Sequence, residues 1–215
     1  HRNILANLEQ TGTWISTSFR EGAEIVIAPL PMYHIFCLTS TLAFMKWGSL
    51  IVLITNPRDL PGFVKELRQW RFSVMTGVNT LFNGLMNTPG FDQLDFSALK
   101  VVVAGGAAVQ KPVAERWKQR TGVPIIEGYG MTENCAVSHA TVPGVQRPGT
   151  VGPPYKGVEQ RIDPANGEIQ MRSGGLMLGY YKEPGLTRDA FTADGWLHTG
   201  DKGSIDAEGN LRITG

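Results

Sequence analysis

From residue 4 to about residue 128, short β-branched runs alternate with stretches of helical period, the pattern of successive βαβ units around a parallel sheet. Strands are expected at Glu24 to Ala28, Leu50 to Ile54, Ser73 to Thr76, Lys100 to Ala104 and Pro124 to Glu127. Between them, Phe63, Val64, Leu67 and Trp70 share one helical face, and Leu81, Phe82, Leu85 and Met86 share another. Val113 and Trp117 mark a third helix that Pro112 is placed to open, because proline at the first helical position has no amide to leave unbonded. These stripes read as core rather than as a cofactor surface.

After about residue 140 the pattern turns to Gly, Pro and short alternating strands, with one short helix suggested near Thr187 to Phe191. Arg161-Ile162-Asp163 and Glu168-Ile169-Gln170-Met171 flank the turn Pro164-Ala165-Asn166-Gly167, and Gly203 to Asp206 faces Asn210 to Ile213 across Ala207-Glu208-Gly209. Two hairpins follow from those spacings. The expected fold class is α/β: residues 1–145 form the sheet subdomain of βαβ units, and residues 146–215 a smaller β-rich subdomain.

Composition narrows the classes of function. An apolar fraction of 42% supplies a folded core, which excludes a disordered chain. The 20 Lys and Arg against 19 Asp and Glu give a net charge of +1 with no basic run, so nucleic acid is not an expected partner. Cys37 and Cys135 stand far apart without metal or redox spacing and read as two reduced thiols of a cytoplasmic protein. No stretch reaches the roughly 20 apolar residues of a spanning helix, and the start carries no signal-peptide pattern. The absence of an initiator Met at His1, and an end directly behind the strand-like Ile213-Thr214-Gly215, suggest an excerpt from a longer polypeptide.

In open parallel sheets ligands bind beyond the carboxyl ends of the strands. Those positions hold Pro29-Leu30-Pro31-Met32-Tyr33-His34, Gly77-Val78-Asn79-Thr80, Gly105-Gly106-Ala107-Ala108 and Gly128-Tyr129-Gly130-Met131-Thr132-Glu133. Paired glycines allow backbone to approach a flat ligand, a phenol can stack on a base, a hydroxyl can donate to a phosphate oxygen, and a carboxylate suits Mg²⁺. Each also has a plainer reading. Gly105-Gly106 can be a tight turn, Thr132-Glu133 a helix cap, and His34 a satisfied core histidine. Asp201, which closes Trp196-Leu197-His198-Thr199-Gly200-Asp201, can cap a turn or accept both hydroxyls of a ribose.

Four ordered segments, Pro-Leu-Pro-Met-Tyr-His at 29–34, Gly-Gly-Ala-Ala at 105–108, Glu-Gly-Tyr-Gly-Met-Thr-Glu at 127–133 and Gly-Trp-Leu-His-Thr-Gly-Asp at 195–201, resemble the core motifs of the acyl-adenylate-forming, AMP-binding superfamily. Within it, residues 54–59 and 77–83 look most like bacterial long-chain fatty-acid CoA ligases. The resemblance implies that this is an internal piece of the large domain of such a ligase. It further implies that Gly105, Gly106, Ala107, Tyr129, Gly130 and Met131 border the adenine, that Thr132 contacts the α-phosphate and that Glu133 binds Mg²⁺. Asp201 would hold the ribose, and His34 and Gly77 would line the acyl pocket. ATP or AMP, Mg²⁺ and coenzyme A are the implied cofactors and co-substrates, with a fatty acid as substrate. The parent is expected to be cytoplasmic, with peripheral association at the inner membrane face. The resemblance also implies that the phosphate loop before His1, and the lid domain with its lysine after Gly215, lie outside these residues, so that the 215-residue piece alone is expected to be inactive. The rival expectations are a ligase for a medium-chain or aromatic acid, an acyl-AMP ligase, and a nucleotide-binding module without catalysis.

Overall fold

The computed structural model of the protein describes every residue except Thr17, Gln146 and Pro148. The chain divides into two units, one of Ile15–Glu127 and one that joins His1–Trp14 to Gly128–Gly215.

In the first unit, β1 (Ile25–Ala28), α2 (Ile35–Lys46), β2 (Leu50–Leu53), α3 (Leu60–Leu67), β3 (Val74–Gly77), α4 (Asn79–Met86), β4 (Val101–Ala104) and α5 (Lys111–Thr121) follow the N-terminal helix α1 (Arg2–Ile15). The strands are parallel in the order β2-β1-β3-β4, and Ile125 to Glu127, the start of β5 (Ile125–Met131), extend the order beside β4. Ile27, Met75 and Val102 project to one face with Phe63, Leu67, Phe82, Leu85 and Trp117 from the helices. The rings of Phe82 and Trp117 meet edge to face at 4.8 Å. Local signals start and stop these helices, the opening of α5 by Pro112 as expected. Asp59 accepts from the Gly62 amide at 3.0 Å to cap α3, Pro112 stands in the first turn of α5, and Gly122 ends that helix at φ 77°.

Four strands begin one residue later than their apolar pattern suggests, β5 at Ile125 among them, and one cluster accounts for the other three. Glu24, Ser73 and Lys100, the expected first residues, form a polar knot at the amino ends of the strands. Lys100 Nζ lies 2.6 Å from Glu24 Oε1, Ser73 Oγ accepts from the Ile25 amide at 3.1 Å, and the Lys100 amide donates to the Ser73 carbonyl at 2.8 Å. Burial opposes ionisation of Glu24, but hydrogen bonds from Lys100, Ser73 and the Arg20 amide outweigh it and hold the carboxyl below its usual range. Helix α2 carried no stripe in the sequence because Thr39 and Thr41 are buried along with Phe36, Cys37, Ala43 and Phe44.

In the second unit, Gly128 to Met131 of β5 pair antiparallel with β6 (Ala136–Ala140). The strands β7 (Val158–Ile162), β8 (Glu168–Ser173), β9 (Leu197–Ile205) and β10 (Leu211–Ile213) make an antiparallel sheet in the order β10-β9-β8-β7, with α6 (Pro184–Asp189) between β8 and β9. Both expected hairpins are present, as β7-β8 and β9-β10. Tyr129, Ile169, Met171 and Leu211 form the core. α1 joins this unit through side chains: Asn7 Nδ2 donates to the Val137 carbonyl at 2.8 Å and Trp14 Nε1 to the Thr141 carbonyl at 3.0 Å. The parallel sheet with helices and the smaller antiparallel sheet are thus as expected, but the division differs from one at 145. Residues 128–145 belong with the later strands because β5 reverses into β6, and α1 belongs there because of those two bonds. Gln146, where the second subdomain was expected to begin, lies outside the described residues. Among the described residues no helix is long and apolar enough to cross a membrane.

Glu24 is only 1% exposed, so its carboxylate depends on Lys100. Lys100→Ala is expected to cost about 2 to 3 kcal/mol, below the full cost of breaking a buried pair because the amine is partly solvated. Urea unfolding measures it, and a loss below about 0.5 kcal/mol, the level of an ordinary surface change, would rule out a structural role for the pair.

Candidate functional site

The segment that ends β5 is shaped by one close approach of backbone to backbone. A Cβ on Gly130 would lie 1.8 Å from the Ala136 carbonyl oxygen, so only glycine fits. The strand register shifts between Tyr129 and Gly130, and the return into β6 passes through left-handed backbone at Cys135, φ 59°, and Ala136, φ 87°. An alanine at such an angle is strained, and the surrounding pairing holds it there. Between them, Thr132–Asn134 form a single 3₁₀ turn.

This path buries Tyr129, 9% exposed, in the core of the unit and sets its hydroxyl 2.6 Å from Asp201 Oδ2. Burial, then the neighbouring Asp201, push the phenol far above its ordinary value, so it stays protonated and donates. Asp201 lies inside β9 rather than capping a turn. Its amide donates to Thr199 Oγ1 at 3.2 Å, and that hydroxyl donates to the Ile169 carbonyl at 2.6 Å. Thr199 is a positioning residue that the sequence reading passed over, although it stands two residues before Asp201 in the motif. Met131 packs against the Tyr129 core.

Thr132 is exposed and is the first residue of the 3₁₀ turn, whose cap position is Met131, so Thr132 does not stand as the cap. Glu133 is half-buried and accepts from the Tyr180 hydroxyl at 2.9 Å through Oε1. Its Oε2 has no hydrogen-bond partner among the described residues. Tyr180 had not been singled out, since nothing in the sequence spacing links position 180 to 133. Among the described residues no three or more His, Cys, Asp or Glu side chains gather as a metal cage. A divalent cation at Glu133 would thus be held by one carboxylate and by substrate oxygens, which is how Mg²⁺ is commonly bound in nucleotide sites, and the donor set fits it.

The remaining expected site residues lie in the first unit. His34 is exposed and caps α2, Nδ1 accepting from the Phe36 amide at 3.2 Å. It is no core histidine, and the bond leaves Nε2 as the outward donor. Gly77 is buried, and a Cβ there would meet the Phe82 ring at 2.5 Å, so helix packing requires the glycine. The Gly105 amide donates to the Gly77 carbonyl at 3.4 Å, and the Phe36 ring lies 3.1 Å from where a Gly105 Cβ would be. The His34 cap, Gly77 and Gly105 are therefore brought to one neighbourhood. Gly106 is exposed at φ 82° with open space around it, so the backbone angle asks for glycine there, and Ala107 is exposed. Two side chains outside the expected set hold this loop: Glu127 accepts from the Val109 amide at 3.0 Å and Asn79 from the Gln110 amide at 2.9 Å.

The sequence profile described as AMP-binding enzyme matches residues 1–181. Long-chain-fatty-acid–CoA ligase of Escherichia coli O157:H7 is 46% identical over 225 residues, which cover 99% of this chain and 40% of that protein. The enzyme of the same name from Salmonella typhimurium is 45% identical over 224 residues, with the same coverage. The chain thus spans about 40% of the length of the curated relatives it matches. In fold, the N-terminal domain of FACL13 from Mycobacterium tuberculosis superposes with a TM-score of 0.89 over 100% of this chain and 56% of that one, at 23% identity.

Beside Tyr129, at a ring distance of 5.8 Å, His139 is wholly buried between Ser138 Oγ on Nδ1, 2.9 Å, and Gln160 Oε1 on Nε2, 3.0 Å. Gln160 Nε2 donates to the Gly209 carbonyl, so its oxygen faces the ring and Nε2 of the imidazole carries the proton. Burial lowers the His139 pKa from 6.5 to about 4. Below pH 6.5 the unfolded chain takes a proton that the folded one refuses, so stability falls as pH drops from 6.5 towards 4 and the loss levels off below that. The drop in pKa corresponds to about 3 kcal/mol at most. Unfolding measured across that window should lose this slope in His139→Gln, and an unchanged slope would exclude His139 as its source.

Proposed function

The chain belongs to the AMP-binding enzyme family, and we propose that it acts within an ATP-dependent long-chain fatty-acid CoA ligase. The observation that carries this reading is identity of 45% or more, along essentially the whole chain, to enzymes of that name. The fatty carboxylate attacks the α-phosphorus of ATP to give acyl-AMP and pyrophosphate, and the CoA thiol then displaces AMP. Catalysis of the first step rests on positioning and on balancing phosphate charge.

Each residue has a task that its geometry supports. Asp201, fixed by Tyr129 and Thr199, keeps Oδ1 without a protein partner among the described residues and accepts ribose hydroxyls there. Thr132 donates its exposed hydroxyl to the α-phosphate. Glu133 would hold Mg²⁺ through its unpartnered oxygen, and the ion would supply neutralisation of phosphate charge. Tyr129, Gly130 and Met131 form the wall beside the adenine, with Tyr129 contributing more through its hydroxyl than through its largely buried ring. In the other unit, Gly105, Gly106 and Ala107 present backbone to a planar ring, and His34 and Gly77 border the acyl group. The full-length protein would associate peripherally with the inner face of the membrane, where a long-chain acid partitions.

In the full-length protein Asp201→Ala is expected to weaken nucleotide binding roughly tenfold to a hundredfold, the size of one charge-assisted hydrogen bond. Calorimetry with ATP reads this directly, and unchanged affinity in a folded variant would remove Asp201 from the ribose site. Glu133→Gln and Thr132→Ala should separate in their response to metal. The first loses adenylation rate, which recovers in part at high Mg²⁺; the second loses rate without rescue. An identical response of the two in pyrophosphate exchange would show that the division between metal and phosphate is wrong.

A further inference from the structure

The loop after β8, residues 174–183, runs past Glu133 and is fastened there by bonds that do not involve the carboxylate. The Met177 amide donates to the Glu133 carbonyl at 2.7 Å, Ser173 Oγ to Asn134 Oδ1 at 2.5 Å, and Asn3 Nδ2 to the Gly175 carbonyl at 3.4 Å. Further along, the Tyr180 amide donates to Thr187 Oγ1 at 2.9 Å and that hydroxyl to the Glu183 carbonyl at 2.8 Å. Gly179, at φ 144°, leaves room for the Thr187 methyl, which would lie 2.5 Å from a Cβ. The loop keeps its place without the Tyr180 hydroxyl. With a residue exposure of 40%, Tyr180 is not core either.

What the hydroxyl adds is a single directed bond, 2.9 Å long, to Glu133 Oε1. No cationic side chain pairs with Glu133 among the described residues. A phenol donates without neutralising, so the carboxylate keeps its full charge while its rotation is fixed and Oε2 keeps both lone pairs. A partner that orients an acidic ligand without consuming its charge is the arrangement a metal-binding carboxylate needs.

We propose that Tyr180 is a positioning residue that sets the Glu133 carboxylate for a divalent cation. This rests on the reading of Glu133 as the Mg²⁺ ligand. In the full-length protein, Tyr180→Phe is expected to weaken Mn²⁺ binding about tenfold in the presence of α,β-methylene-ATP, followed by electron paramagnetic resonance, the scale usual for such supporting partners. The Mg²⁺ concentration for half-maximal pyrophosphate exchange rises by a similar factor, and the rate recovers at saturating Mg²⁺. In a Glu133→Gln background the further change Tyr180→Phe has no effect on either quantity. If Tyr180→Phe leaves Mn²⁺ affinity unchanged while Glu133→Gln weakens it, the positioning role is overturned and the metal ligand stands. If Glu133→Gln also leaves Mn²⁺ affinity unchanged, both fall together.

Discussion

The approach of Gly130 to the Ala136 carbonyl is the constraint on which the site in the second unit depends. With a side chain at 130 the two backbones could not meet, and β5 could not turn through the 3₁₀ bend into β6 at this distance. That turn sends consecutive residues to opposite tasks. Tyr129 goes inward to the core and to Asp201, while Thr132 and Glu133 are carried outward with their polar atoms available. The left-handed backbone at Cys135 and Ala136 is the strain that this path imposes.

A common device recurs at the two carboxylates of the candidate site in this unit. Asp201 and Glu133 each accept one phenol, from Tyr129 at 2.6 Å and Tyr180 at 2.9 Å, and neither has a cationic partner among the described residues. A phenol fixes orientation and leaves negative charge intact, which suits groups meant to receive hydroxyls or a cation. Several other carboxylates are paired with cations: Glu24 with Lys100, Asp194 with Arg161, Glu159 with Arg172. Those pairs serve the fold. Glu168 belongs to the same structural class, since burial opposes its charge but His198 and the Gly200 amide hold its carboxyl low and tie β8 to β9.

Much of the fold was legible in the chain because the relevant forces are local. β-branched runs placed β1 to β4 within a residue, apolar spacing placed α4 and, except for Trp70 beyond its end, α3, Pro112 opened α5, and turn residues placed both hairpins. What escaped lacked a local signature. α2 is apolar with buried threonines and shows no stripe, β6 opens on strained backbone and has few β-branched residues, and the late starts of three strands come from a polar knot among residues 24, 73 and 100.

For the site the division is similar. The sequence by itself determined which residue types stand behind each strand and offered Tyr129, Thr132, Glu133 and Asp201 as the polar groups of a site, while the demand for glycine at 106 and 130 came from the backbone angle and the close approach in the folded chain. Only the tertiary structure decided what each is bonded to: Asp201 to a tyrosine 72 residues away, Glu133 to one 47 residues away, and the Gly105 loop to Asn79 and Glu127. Hydrogen bonds are short-ranged and directional, so partners distant in sequence meet only after strand order and register are fixed. No periodicity along the chain encodes that outcome.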